Sequence, residues 1–246
     1  MKHRNPHYSI LKGRGIEIGA LHEPAPVPDE CERLFFDVRT REESIKLFDE
    51  LDPELIVPVD VVGDADSRDI RKLGHESMDF VIANHVIEHL ANPMAFVEDL
   101  FYVTKPGGLV VLSAPDKRFT YDSKRDVTSY DHLLLDYQRR EIRPDNSHYM
   151  DFIVKVLPDG DKKTGQELED LLDLVYRRRE HVHVWDTDAF VEFLKRSLKS
   201  FGVVAEPIVE LFGDDTKFEY FSIWKKGKPS FWTRLTSRFR PNAAGN

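Results

Sequence analysis

The stretch Gly15-Ile16-Glu17-Ile18-Gly19-Ala20 predicts a short buried strand that ends at a glycine. Prolines at positions 24, 26 and 28 then favour a loop, because each lacks a backbone N–H and fixes φ. Residues 33–38 predict a second strand, which carries Asp37 near its end. This pairing of a glycine and an acid suits a nucleotide-like ligand, whose ribose diol needs an acidic acceptor. A glycine that ends a buried strand is equally often a simple turn, so both explanations stay open.

Short apolar runs and amphipathic stretches alternate along the rest of the chain. Strands are predicted at residues 55–64, 79–84, 109–114, 203–212 and 217–224, and helices at 40–51, 93–104, 166–177 and 188–200. The strands of the first half are nearly continuous apolar runs, which is typical of parallel strands buried on both faces by helices. Pro58 favours an edge position for its strand, since proline cannot donate to a ladder. The pattern predicts an α/β protein with a doubly wound sheet.

Composition excludes several classes of protein. Hydrophobic residues make up 41% of the 246 residues, which excludes a wholly disordered chain. The net charge of −9 lacks the electrostatic footprint of a general nucleic-acid binder. Cys31 is the only cysteine, so neither an intramolecular disulfide nor an all-cysteine zinc site can form. No apolar run approaches the roughly 18 residues of a membrane span, and the basic N-terminus lacks the apolar stretch of a signal peptide. A cytoplasmic location is expected.

Two regions depart from the strand and helix pattern. Residues 115–184 are polar and rich in Asp, Arg, Tyr and His, and we interpret them as an insertion on the substrate side of one domain, residues 1–226. Residues 227–246 form a basic tail that carries Trp232 and Phe239. This tail is either a weak peripheral anchor at the inner membrane face or a solvated terminus.

The turn after the first strand disfavours a dinucleotide. The G-x-G-x-x-G fingerprint needs glycines where a pyrophosphate meets a helix N-terminus. Here Gly13 and Gly15 precede the strand end, and Leu21 and Glu23 follow Gly19. Glu23 would repel a pyrophosphate, whereas S-adenosylmethionine has no phosphate and carries a positive sulfonium.

Four stretches occur in a fixed order: residues 15–20, Gly63-Asp64-Ala65, residues 79–90 and residues 105–114. In this order they resemble the class I S-adenosylmethionine-dependent methyltransferases, over roughly residues 10 to 120. The resemblance implies S-adenosylmethionine as cofactor and a Rossmann-like, seven-stranded, mostly parallel sheet with an antiparallel partner near the C-terminus. Residues 20–24, 115–120 and 181–186 are similar to a subset encoded with bacterial surface-glycan synthesis. That similarity implies O-methylation of a sugar in a surface polysaccharide or its precursor.

The resemblance also implies which residues contact the cofactor: Glu17, Gly19, Ala20, Asp37, Asp64, Ala65, Asn84 and His85. The first two frame the amino-acid end of the cofactor. Asp37 accepts hydrogen bonds from the ribose hydroxyls, and Asp64 accepts one from the adenine amino group. Asn84 and His85 lie near the sulfonium.

Transfer to a hydroxyl needs a base, and the catalytic candidates are His85, Asp116 and His183. Asp116 follows the fifth strand at the cofactor edge of the sheet. His181 and His183 alternate with valines, so both point to one side of an extended segment. A polar strand face is the alternative explanation for that pair. No resident metal is predicted, although Asp116 with a histidine could support a metal-assisted mechanism.

The acceptor is expected to be a small molecule or a glycan. Aromatic residues at 119, 121, 130, 137 and 149 stand among acids and arginines, which suits a sugar whose C–H faces stack on rings. Ordinary packing aromatics are the alternative.

Two competing functions stay open. Leu21 and His22 replace the glycines that usually follow Gly19 in the family, which favours a non-catalytic interaction module. The pattern His85-x-x-Glu88-His89 matches the inverted zinc-protease motif, which would make the chain a zinc hydrolase.

Overall fold

In the computed structural model, which describes residues 1–228, seven strands form one sheet. They are β1 (Arg14–Ile18), β2 (Glu32–Asp37), β3 (Val61–Val62), β4 (Met78–Asn84), β5 (Thr104–Pro115), β6 (Ala205–Leu211) and β7 (Glu219–Lys226). Their order is β3-β2-β1-β4-β5-β7-β6. The first five run parallel, and β7 is antiparallel to both β5 and β6. The predicted seven-stranded, mostly parallel sheet is confirmed.

The residues at the ends of the α-helices have the chemistry that starts or stops a helix. They are α1 (Arg41–Leu47), α2 (Pro93–Val103), α3 (Tyr130–Arg139), α4 (Asn146–Val156), α5 (Gly165–Arg178), α6 (Thr187–Phe201) and α7 (Gly213–Thr216). Thr40 and Glu43 form a capping box that starts α1. Pro93 stands in the first turn of α2, where its missing N–H costs nothing. Gly202, with φ of 67°, ends α6.

Alternating residues of the strands bury the two faces of the sheet. In β4, Val81 and Ala83 pack with α2 and α6 in the larger core cluster. Phe80 and Ile82 pack on the opposite face against Tyr8, from the short 3-10 helix Asn5–Ile10. Both faces are covered, as the continuous apolar runs predict.

The third strand is shorter than predicted. Only Val61–Val62 pair with β2, and Pro53–Leu55 form a 3-10 turn instead of strand. Pro58 interrupts the ladder between them, and β3 takes the edge position that this proline favours.

The inserted region contains two helices, α3 and α4, that were not predicted from the sequence. Tyr149, Phe152 and Ile153 of α4 form a separate core cluster with Val175 of α5 and with Val182. The division into a domain of residues 1–226 and a tail of residues 227–246 stays a prediction. Residues 229–246 of the tail, with its proposed membrane contact, lie outside the described residues. Among the residues described, no helix is long and apolar enough to cross a membrane.

Candidate active site

A cavity of about 260 Å³ opens where β1, β2 and β4 end. Four of the predicted cofactor residues line it: Gly19, Asp37, Ala65 and His85. Apolar side chains of Phe36, Val86 and Leu90 form much of the wall. Because the carboxyl ends of parallel strands meet at one edge of a sheet, these distant residues come together as the topology predicts.

Gly19 makes the turn that leads out of β1. Its φ is +64°, a left-handed value that glycine adopts without cost. A Cβ at this position would also lie 2.8 Å from Cγ2 of Val86. Gly19 therefore serves both as a turn and as part of the cavity wall.

Asp37 ends β2 and faces the cavity. Its Oδ1 accepts a hydrogen bond of 3.1 Å from the backbone N–H of Arg39, which orients the carboxylate. Burial raises the pKa of Asp37, against the hydrogen bond from Arg39. The carboxylate can still accept hydrogen bonds from a vicinal diol placed in the cavity.

Asp64 does not line the cofactor cavity with Gly63 and Ala65 but lines a neighbouring cavity of about 310 Å³. Arg179 donates from Nη1 to Oδ1 of Asp64 at 3.1 Å, and from Nη2 to the other oxygen. Arg179 itself lines the cavity just beyond the end of α5, with φ of 52°. The sequence analysis did not identify Arg179, although three consecutive arginines at 177–179 mark the position.

Three other predicted cofactor residues are placed beside the cavity rather than in its wall. Glu17 is buried and accepts hydrogen bonds from the backbone N–H of Ala25 at 2.8 Å and from Arg33 at 2.8 Å. Asn84 donates to the hydroxyl of Tyr8 at 2.9 Å. Ala20 lines a small neighbouring cavity. Their predicted contacts with the cofactor stay predictions.

His85 follows β4 directly and has an unusual backbone. Its φ is 54°, which is uncommon for a non-glycine residue and is often found at functional sites. Nε2–H donates to Oε2 of Glu219 at 2.7 Å, and the ring stacks on Phe218. Burial raises the pKa of Glu219, but hydrogen bonds from His85 and Arg4 outweigh it and lower this pKa to about 2. An ionised Glu219 therefore holds His85 in the tautomer whose Nδ1 carries a free lone pair.

Glu88 is buried below His85, and histidines surround it. Its Oε1 lies 3.7 Å from His85 Nδ1, 3.8 Å from His89 Nε2 and 3.9 Å from His181 Nε2. Neither carboxylate oxygen has a hydrogen-bond partner among the residues that the structure describes. Burial raises the pKa of Glu88.

Glu88, His89 and His181 could together hold a metal, because their ligand atoms lie within 4.8 Å of one another. His89 donates from Nδ1 to the carbonyl of Arg179, and His181 donates from Nδ1 to Asp122. The hydroxyl of Tyr121, however, occupies Nε2 of His181 at 2.8 Å.

The zinc-protease geometry is not formed at this motif. Ile87–His89 is one short 3-10 turn, so His85 and His89 do not share a helix face. His85 instead donates to Glu219, as described above.

Two predicted catalytic residues lie elsewhere. Asp116 is buried, and its Oδ2 accepts from the hydroxyl of Thr187 at 2.7 Å and from Arg118 at 2.7 Å. Although burial raises it, hydrogen bonds from these two residues lower the pKa of Asp116 overall, so this carboxylate anchors the start of α6 rather than serving as a base. His183 packs between His132 and His148, away from the cavity. His181 and His183 thus enter different clusters, contrary to a shared active-site face.

Comparison with known proteins identifies the family. The methyltransferase-domain family matches residues 11–197, which is more than half of the chain, so the chain belongs to it. It is an S-adenosylmethionine-dependent methyltransferase with the class I fold. This membership favours the methyltransferase over the zinc hydrolase. No curated protein matches the sequence.

Several solved structures are similar in fold. One named for Zn-dependent alcohol dehydrogenases, from Rhodobacter sphaeroides, is 16% identical, with a TM-score of 0.51 over 92% of this chain and 89% of that one. A methyltransferase from Methanosarcina mazei is 18% identical, with a TM-score of 0.45 over 90% and 96%. The CurJ carbon methyltransferase is 18% identical, with a TM-score of 0.44 over 88% of this chain. This chain covers about half, 49%, of the CurJ chain.

The cavity suits S-adenosylmethionine in its polarity. Asp37 offers a charged acceptor for the ribose, and Phe36 and Ala65 offer an apolar surface for the adenine. His85 stands at the end of β4, where the resemblance expects the sulfonium. The cofactor supplies an electrophilic methyl group when it is bound.

Proposed function

We propose that this methyltransferase methylates a hydroxyl of a sugar, in a bacterial surface polysaccharide or its precursor, and that it acts in the cytoplasm. The observation that supports an oxygen acceptor is the position of His85, which lines the cofactor cavity and has a free lone pair on Nδ1. A hydroxyl must lose its proton during methyl transfer, whereas a thiolate or a neutral amine can attack without a base at that step.

Glu219 supports His85 as that base. When Nδ1 takes a proton from the acceptor, the ring becomes a cation, and the ionised carboxylate of Glu219 at 2.7 Å stabilises it. Arg4 donates to the same carboxylate at 2.6 Å and fixes its orientation. The chain can therefore hold the proton at Nδ1 without moving a side chain.

A second cavity of about 310 Å³ supports a bulky polar acceptor. His89 lines both this cavity and the cofactor cavity, so the two adjoin. The second cavity is also lined by Asp66, Ser67, Arg143 and Tyr176. Acceptor oxygens and an aromatic face are what a sugar ring needs.

The aromatic residues of the insertion contribute less than the sequence suggests. Tyr149 is buried and packs on Tyr176 at 4.9 Å between ring centroids, and Tyr137 packs on Phe201 at 5.4 Å. These two rings serve as core. Tyr121 is 53% exposed, but its hydroxyl bonds Nε2 of His181 and it lines neither cavity.

The test is transfer of a labelled methyl group from S-adenosylmethionine to nucleotide sugars, lipid-linked oligosaccharides and matched amine and thiol acceptors. We expect an O-methyl ether on a sugar. His85→Gln should lower kcat by about 10²- to 10⁴-fold, the usual worth of a general base. Binding of S-adenosylmethionine, measured by calorimetry, should change by less than about 3-fold, since the ring lies outside the ribose contacts.

The exposed His75 offers a matched control, and His75→Gln should leave kcat unchanged. Methylation of nitrogen, sulfur or carbon acceptors alone would overturn the proposal. An undiminished kcat for His85→Gln would remove His85 as the base.

A further inference from the structure

Three histidines meet in the inserted region, outside the cofactor cavity. His132 comes from α3, His148 from α4 and His183 from the segment between α5 and α6. Nε2 of His132 lies 3.0 Å from Nε2 of His148. The ring of His183 stands 5.7 Å and 5.2 Å from those two rings, centroid to centroid. We call these residues the three-histidine cluster.

Two groups in and beside the three-histidine cluster lack hydrogen-bond partners. His183 is 1% exposed, and within residues 1–228 neither of its ring nitrogens has a partner. Oδ2 of Asp136 also has none in that range, and it lies 3.3 Å from Nε2 of His132. Native structures seldom leave buried polar atoms unsatisfied, because each costs about 1–3 kcal/mol.

A bound cation would satisfy the buried ring of His183 together with the two neighbouring histidines. In a tetrahedral zinc site with Zn–N bonds of about 2.0–2.1 Å, neighbouring ligand atoms lie about 3.3 Å apart. The separation of 3.0 Å between Nε2 of His132 and Nε2 of His148 is close to that edge, and one nitrogen from each of the three histidines lies within 4.8 Å of the others.

An outer partner orients one of the ligands. Nδ1 of His148 lies 3.1 Å from Oδ1 of Asp145. A carboxylate that accepts from one ring nitrogen leaves the other nitrogen free for a metal, and such pairs are typical of zinc sites. Here the free nitrogen is Nε2, the atom that faces His132.

We propose that His132, His148 and His183 bind one divalent transition-metal ion, with zinc preferred. Three imidazoles favour zinc over magnesium or calcium, which prefer oxygen ligands. The three histidines lie outside the cofactor cavity, so the ion is structural rather than part of methyl transfer. It fastens α3 and α4 to the segment that continues into α6.

An entry path exists for the ion. A cleft of about 310 Å³ reaches the site, and His132, Ser147, His148 and Val184 line it. The side chain of His132 is 41% exposed, so its replacement leaves the core intact.

The test is metal content of the full chain by mass spectrometry, after removal of metal with a chelator and reloading with Zn²⁺. We expect about one zinc per chain, and less than about a tenth of that in His132→Gln and in His148→Gln. Asp145→Asn should weaken zinc binding by about 10- to 100-fold, as loss of an outer partner does. Zinc should also raise Tm for the unsubstituted chain and not for His132→Gln.

Two matched controls locate the ion. His75→Gln removes an exposed histidine and should keep the zinc. Glu88→Gln alters the other group that could hold a metal and should keep it too. No bound zinc, zinc retained in both His132→Gln and His148→Gln, or zinc lost only in Glu88→Gln would each overturn the proposal. S-adenosylmethionine binding and methyl transfer are measured separately, so this outcome does not depend on the proposed function.

Discussion

The cofactor cavity and the three-histidine cluster differ in how their polar groups are satisfied. At the cavity, His85 is paired with Glu219, and Asp37 is held by the backbone of Arg39. In the cluster, His183 has no partner within the described part of the chain. The first arrangement is already set for a ligand that brings its own donors and acceptors. The second is complete only when a cation joins it.

The largest expected effect tests whether the inserted region is a rigid unit. Arg125 is 2% exposed and donates to Asp122 at 3.0 Å, to Asp151 at 2.8 Å and to the carbonyl of His181 at 3.0 Å. Arg125→Leu should lower the free energy of unfolding by about 3–5 kcal/mol, because it removes the cation from a buried ion pair with Asp122. Chemical denaturation followed by circular dichroism measures this.

Arg14→Leu is the control for that experiment. Arg14 pairs with Glu32 on the surface and should cost less than about 1 kcal/mol. An equal loss from both substitutions would mean that the inserted region is not held by its buried arginine.

Gly19→Ala tests the wall of the cavity. A left-handed φ costs a non-glycine residue about 1–2 kcal/mol, and the contact with Val86 adds about 1–3 kcal/mol. Gly107→Ala is the matched control, since its φ is +86° but a Cβ there meets nothing within 4 Å. Thermal unfolding should show the larger loss for Gly19→Ala, and equal losses would exclude the contact.

Asp37→Ala tests which of two acids, Asp37 or Asp64, contributes more to binding S-adenosylmethionine. Loss of a charged acceptor for the ribose should cost about 1.5–3 kcal/mol, which raises Kd for S-adenosylmethionine about 10- to 150-fold. Asp64→Asn should raise it less than about 5-fold, because Arg179 already holds that carboxylate. Calorimetry measures both values, and the reverse ranking would assign the ligand contact to Asp64.

The stability of the fold also depends on pH, through two buried acids on the cavity side of the sheet. Burial raises the pKa of Glu17 to about 7 from an ordinary 4.5, and burial raises that of Asp66 to about 7. Folded protein then binds more protons than unfolded protein, so this stability is fully present below pH 4.5 for Glu17 and below pH 3.8 for Asp66, and it is lost as pH rises to 7. Each group contributes up to about 1.4 kcal/mol per pH unit.

Glu17→Gln should therefore remove about half of that slope in denaturation curves recorded between pH 5 and 7. Glu43→Gln, in the capping box of α1, should leave the slope unchanged. An unaltered slope for Glu17→Gln would show that Glu17 is ionised throughout.

The sequence predicts the cofactor half well because its signals are local. Asp37 and His85 end buried parallel strands, and the topology alone brings such ends to one edge. Helices α3 and α4 were missed because few of their residues are apolar and buried, although Ser129 and Asp145 cap them. Those two caps were the available signal.

The histidines of the insertion show what a local pattern cannot predict. His181 and His183 are two residues apart, yet one meets Glu88 and the other meets His148. The backbone N–H groups of Val182 and His183 both donate to the carbonyl of Glu88, so the segment is not a regular strand. The contacts of each histidine side chain depend on residues far away in the sequence. The alternation of histidines and valines does not identify those residues.

The pairing of Glu219 with His85 sets an order for maturation during synthesis. Arg4 and His85 are translated long before Glu219, which belongs to the last strand of the sheet. A nascent chain that has already formed β1 to β5 has the walls of the cavity, but its histidine still lacks the carboxylate that selects the tautomer. The proposed base therefore gains its carboxylate partner only after β7 has left the ribosome and inserted beside β5.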